Sequence, residues 1–244
     1  MFNLNYLDLF KPFVYKGEFI TLPYRLFSPK IENNKRYPLI VFLHGAGERG
    51  NDNIKQITAN KGATVWASFD VQSENPCFIL APQCPENSWW GSYKKDDFVF
   101  EANTLLYTVM LLINKISKEN PIDENRIYIT GLSMGGFGTL ILLSDFPEKF
   151  AAGVVVCGGG DLDKVSRYKD VPIWLFHAED DPVVSVDFSR KLFEKSKSIS
   201  GNIKYTEYPK GLLSSQKIHP HAAWELAYND KAMIKWLFNQ VKKR

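Results

Sequence analysis

The chain has 244 residues, 45% of them hydrophobic, 14% aromatic and 23% charged, with a formal net charge of +3. That is the composition of a globular protein with a sizeable core, and the length suits one large domain better than two small ones. So small and scattered a positive charge argues against a nucleic-acid partner, and no apolar run approaches the roughly 20 residues that a membrane-spanning helix needs.

In chain order, the opening "MFNLNYLDLFKPF" has no basic residue ahead of its apolar ones, and Asp8 interrupts them, so no secretory leader is expected. Residues 17–29 alternate and are expected to form an antiparallel edge strand, where Pro23 is tolerated. Five Val- and Ile-rich apolar runs follow, at 38–44, 77–82, 126–131, 152–158 and 171–177. Their continuous apolarity predicts strands covered on both faces. Helical periodicity marks 98–118, 136–145, about 186–197 and 230–243. A further strand is expected at 203–209. The three cysteines, Cys77, Cys84 and Cys157, are an odd number without metal-ligand spacing, so the reading is no disulfide framework, no metal and a reducing, cytoplasmic setting.

Strands alternating with helices predict a doubly wound, mostly parallel α/β sheet flanked by helices, one domain over residues 1–244. Ligands of such sheets gather at the carboxyl ends of the strands. The run at 126–131 ends in Gly131-Leu132-Ser133-Met134-Gly135, a G-x-S-x-G pattern between a strand and a helix. A turn that sharp forces the serine into strained angles and lifts its hydroxyl above the sheet, with the helix N-terminus aimed at the same place.

A nucleophilic serine needs a base and an acid, and in this architecture both follow it in the chain. After 171–177 come Glu179, Asp180 and Asp181. Asp181 is favoured because Pro182 fixes its extended geometry, ahead of Asp180, Asp161 and Asp163. Of the two histidines in the loop "KGLLSSQKIHPHAAW", His221 lies at the loop tip before a helical turn, while His219 precedes Pro220 and shapes the loop. His177 reads as a hydrogen-bonded core histidine and His44 as an organiser of backbone. The glycine-rich "HGAGERG" after 38–44 offers backbone N–H groups. One from Ala46 or Gly47, with that of Met134, would form an oxyanion hole. The same loop lacks the G-K-[ST] of a phosphate cradle.

"HGAGERG", "GLSMGG", "EDDPVV" and "HAAW", in that order, resemble the phospholipase/carboxylesterase-like serine esterases of the α/β-hydrolase superfamily. Related branches are predicted peptidases and the feruloyl or acetyl esterases of plant-polysaccharide breakdown. The resemblance runs from about residue 17 to the end. It implies the α/β-hydrolase fold without a separate lid domain, no cofactor, and a small-molecule ester as substrate. It implies Ser133 as nucleophile, Asp181 as acid, His221 as base, and oxyanion donors at Ala46 and Met134, with Gly47 as a further candidate. Trp89, Trp90 and Trp224 are candidate pocket walls, with a core role as the alternative for the first two. The expected activity is that of a serine carboxylesterase on small to moderate acyl esters, carbohydrate-linked ones included. The alternatives are a short-peptide serine peptidase and a non-catalytic binding scaffold.

Overall fold

The computed structural model describes residues 6–94 and 99–242. Ten strands run along them: β1 (Lys11–Lys16), β2 (Thr21–Phe27), β3 (Tyr37–Leu43), β4 (Phe78–Pro82), β5 (Ser92–Lys94), β6 (Val99–Glu101), β7 (Ile122–Leu132), β8 (Ala152–Val156), β9 (Ile173–Ala178) and β10 (Ile203–Tyr208). The helices are α1 (Tyr6–Leu9), α2 (Lys55–Thr58), α3 (Phe69–Glu74), α4 (Thr104–Glu119), α5 (Met134–Asp145), α6 (Asp187–Ser198), α7 (Leu212–Ser215), α8 (Trp224–Ala227) and α9 (Lys231–Phe238).

Eight strands form one sheet in the order β1-β2-β4-β3-β7-β8-β9-β10. β1 and β2, and β2 and β4, pair antiparallel; the other neighbours are parallel. The period-2 alternation of side chains divides the core in two. From β3, Leu39, Val41 and Leu43 join Leu106, Val109 and Ile113 of α4 and Leu142 and Leu143 of α5 on one face. Ile40 and Phe42 join Trp66, Tyr228, Met233 and Leu237 on the other. Every residue of β3, β4, β8 and β9 is buried. That explains why these strands read as unbroken apolar runs rather than as alternating ones.

Two expectations shift. The antiparallel strand containing Pro23 is second from the edge, because "KPFVYK" pairs outside it, with Val14 opposite Pro23. The long helix expected over 98–118 begins at Thr104, capped by Asn103 Oδ1, which accepts the Leu106 N–H at 3.1 Å. The stretch before the cap ends a short hairpin of β5 and β6, and residue 98 lies outside the described residues. No helix is long and apolar enough to cross a membrane among the described residues, and none of them forms a separate lid.

Candidate active site

The sharp turn between β7 and α5 is built from glycine on both sides. Ser133 has φ 51° and ψ −121°, in the positive-φ region that costs a side-chain-bearing residue about 1–3 kcal/mol. A Cβ on Gly131 would lie 2.2 Å from the Gly135 carbonyl oxygen, and one on Gly135 would lie 1.9 Å from that of Leu43. Helix α5 therefore sits directly on the end of β3 only because both positions lack a side chain. Burying α5 and β3 repays the strain many times over, at about 1.5–3 kcal/mol per fully buried Leu, Ile or Phe. The Ser133 N–H donates to Val156 O at 2.9 Å, which ties the turn to β8.

Ser133 Oγ lies 3.0 Å from His221 Nε2, and His221 Nδ1 lies 2.8 Å from Asp181 Oδ2. A carboxylate only accepts, so Nδ1 carries the proton and Nε2 accepts the serine O–H. The Asp181 side chain is fully buried and that of His221 is 13% exposed. Burial pushes the Asp181 carboxyl up, but hydrogen bonds from His177, His221, Val183 N–H and Val184 N–H outweigh it and hold the group well below the usual carboxylate range.

The other two acids of the cluster hold the histidine loop. Glu179 Oε2 accepts the Lys210 N–H at 3.0 Å and Asp180 Oδ2 that of Gly211 at 2.9 Å. His219 is exposed; its Nδ1 accepts the His221 N–H at 3.2 Å and its carbonyl that of Ala222. Its bonds run within the loop, and the imidazole on Ser133 Oγ is that of His221. The Trp224 and His221 rings meet nearly at right angles, centroids 5.4 Å apart.

Ala46 opens a 3-10 turn, Ala46–Glu48, and Met134 opens α5. A first-turn amide has no acceptor within its own helix, so both N–H groups suit a developing oxyanion. Gly47 is exposed. The loop is braced from beneath by His44, which has no exposed surface. Its Nδ1 donates to Gly45 O at 2.6 Å and its Nε2 accepts the Cys84 N–H at 2.9 Å. Burial pushes its pKa down to about 4, so the ring is neutral and can both donate and accept. Glu48 and Arg49 do not pair with each other. Glu48 turns inward, its carboxyl raised by burial, while Arg49 Nε donates to Ala46 O at 2.9 Å and its guanidinium covers Trp89 at 5.4 Å.

The tryptophans separate. Trp90 is 2% exposed, donates its indole N–H to His44 O at 3.0 Å, and packs against Gly138 of α5. It is a strut under the loop, the core alternative of the two sequence readings. Trp89 is 53% exposed at the rim. Two features were not legible in the sequence: the contact of His177 with Asp181, and an aromatic group of Phe100, Phe137 and Phe188 with centroids 5.3–6.4 Å apart. Phe188 also lines a cleft of about 420 Å³ with Gly160, Leu162, Ser185 and Lys191. Among the described residues one set of metal-type ligands gathers, Cys157, Asp181 and His221, within 4.8 Å of one another. Hydrogen bonds already engage the latter two, and burial holds the Cys157 thiol well above its ordinary pKa.

A parallel sheet with a serine on a strained strand–helix turn defines the α/β-hydrolase fold. Residues 29–219 match the phospholipase/carboxylesterase family, and the chain belongs to that family. It is similar to a thermostable esterase of known structure, with 49% identity and a TM-score of 0.94 over 96% of this chain and 64% of that one. It is 25% identical over 157 residues to a probable feruloyl esterase C of Aspergillus terreus (strain NIH 2624 / FGSC A1156), covering 64% of this chain and 53% of that one. An acylaminoacyl peptidase of Pyrococcus horikoshii shares the fold at 20% identity and a TM-score of 0.64, over 98% of this chain and 43% of that one. The chain thus spans less than two thirds of each of these relatives.

Proposed function

We propose that this chain is one catalytic domain, a serine carboxylesterase working through an acyl-enzyme, and that it acts in a reducing compartment such as the cytoplasm. The observation that carries the reading is the unbroken series Ser133 Oγ, His221 Nε2, His221 Nδ1, Asp181 Oδ2 at 3.0 and 2.8 Å. Ser133 attacks the ester carbonyl as His221 takes its proton, and the amides of Ala46 and Met134 receive the oxyanion. His221 then protonates the departing alcohol. Water, deprotonated by the same imidazole, releases the acid and restores the serine. Asp181 stays ionised throughout and fixes the imidazole tautomer. No cofactor enters these steps.

The cleft beside Phe188 has room for a moderate acyl or aryl group and is the proposed acyl site. Trp89, against Arg49, and Trp224, against His221, are kept as candidate pocket residues. Esters of small acids, including carbohydrate-linked ones, are the proposed substrates, in keeping with the feruloyl esterase and the thermostable esterase among its relatives. The three cysteines are free and buried, which suits a reducing compartment.

The test is a fluorophosphonate adduct mapped by mass to the peptide carrying Ser133, with turnover compared on p-nitrophenyl acetate, p-nitrophenyl butyrate, feruloyl esters and aminoacyl amides. Labelling with ester turnover well above amide turnover is expected. Folded protein without an adduct would leave a binding scaffold, and faster amide turnover would make it a peptidase.

A further inference from the structure

β9 is apolar through Ile173, Trp174, Leu175 and Phe176 and then buries an imidazole, His177, with no exposed surface. Burying an imidazole costs free energy unless both ring nitrogens are bonded, and here both are. Nδ1 lies 2.8 Å from Ser189 Oγ on α6, and Nε2 lies 2.9 Å from Val184 O and 3.3 Å from Asp181 Oδ2. The carbonyl and the carboxylate only accept, so Nε2 carries the proton, shared between them, and Nδ1 accepts the serine O–H. We propose that His177 is a positioning residue for ester hydrolysis: with Ser189 fixing its tautomer, it holds the Asp181 carboxylate in line with His221. The inference rests on reading Ser133, His221 and Asp181 as a triad.

The geometry gives this role a physical content. Asp181 Oδ1 is held by the Val183 and Val184 N–H groups at 2.8 and 3.0 Å. Oδ2 faces His221, and among the described residues its one other side-chain donor is His177. Through Val184 O the same N–H also closes the far end of the turn from Asp181 to Val184. Loss of that N–H leaves Oδ2 with His221 as its remaining side-chain partner and leaves Val184 O without its bond. It also loosens the carboxylate about its Cβ–Cγ bond against the two N–H groups on Oδ1. A carboxylate turned away from Nδ1 no longer sets the tautomer in which Nε2 accepts from Ser133. Nothing in this arrangement touches substrate, so its loss should appear in kcat and spare KM.

Three variants test it. His177→Met fills the volume without an N–H. His177→Gln restores a donor near the Nε2 position, and Ser189→Ala removes the bond that fixes the tautomer. With wild-type protein shown to form the Ser133 adduct, His177→Met should lower kcat on p-nitrophenyl acetate and slow fluorophosphonate labelling by roughly 10–100-fold at unchanged KM, the scale of a misplaced catalytic group. His177→Gln should recover most of that loss, and Ser189→Ala should lose severalfold. A folded His177→Met with wild-type kcat, even at a lower Tm, would make His177 a packing residue and overturn the inference. So would a His177→Gln as impaired as His177→Met. Should His177→Met fail to fold, Ser189→Ala decides: unchanged kcat overturns the proposal. A wild type that does not label would remove the triad reading itself, and this inference with it.

Discussion

Ser133 shows how much can be read from one residue and its neighbours. Its two flanking glycines are required by contacts of 2.2 and 1.9 Å that any Cβ would make, and the pattern predicted such crowding before any coordinates. That His221 rather than His219 lies beside Ser133 fits the difference in loop geometry between a residue preceding proline and one opening a helical turn. His221→Ala should therefore lower kcat by several orders of magnitude, as loss of one member of a cooperating triad does, while His219→Ala should change it little. Steady-state kinetics on one ester, run on both variants, checks this; the reverse ranking would reassign the base. The task of His177 was not legible. Residues 177 and 181 are joined through a turn whose closure depends on Val184, and no spacing rule encodes a shared N–H.

At the scale of elements, the loop from His44 to Gly50 is held by an imidazole that must stay neutral. Its pKa is lowered to about 4 by burial, against about 6.5 in an unfolded chain. The unfolded state therefore binds the proton first as pH falls. The stability His44 contributes is complete above about pH 6.5, and it is lost as pH drops through the window down to about 4. Urea midpoints for wild type and His44→Gln at pH 7.5, 6 and 4.5 should show the gap between them narrowing with acid; a constant gap would contradict a buried neutral ring. The strands at 38–44, 77–82, 152–158, 171–177 and 203–209 were legible within a residue or two, the buried ones because they announce themselves as apolar runs. β7 instead begins four residues before the expected 126, because Asp123 to Arg126 near its start are polar. The start of α4 was not, since apolar residues of the β5–β6 hairpin continued its periodicity and masked the Asn103 cap.

At the scale of the whole molecule, both faces of the central strands are buried, and the thiols are buried with them. Burial pushes Cys77 and Cys84 up to about 12 and Cys157 well above its ordinary value. A thiol reagent at pH 8 should accordingly modify no cysteine of the folded protein within minutes and all three after unfolding. Rapid modification of any one of them would mean that its surroundings open. The parallel order of the central strands followed from the alternation of strand and helix. The position of β1 outside β2 did not, because "KPFVYK" carries too few buried residues to declare itself.

That outermost strand has a consequence of its own. A sheet edge that no strand among the described residues covers invites a stranger's backbone to add itself there, and Phe13 and Val14 would make the union sticky. Pro12 leaves the strand one amide short, and Lys11 and Lys16 place like charges at both ends of the seam should two copies meet. Pro12, Lys11 and Lys16 thus weigh against edge-to-edge pairing at the margin of the sheet opposite β10.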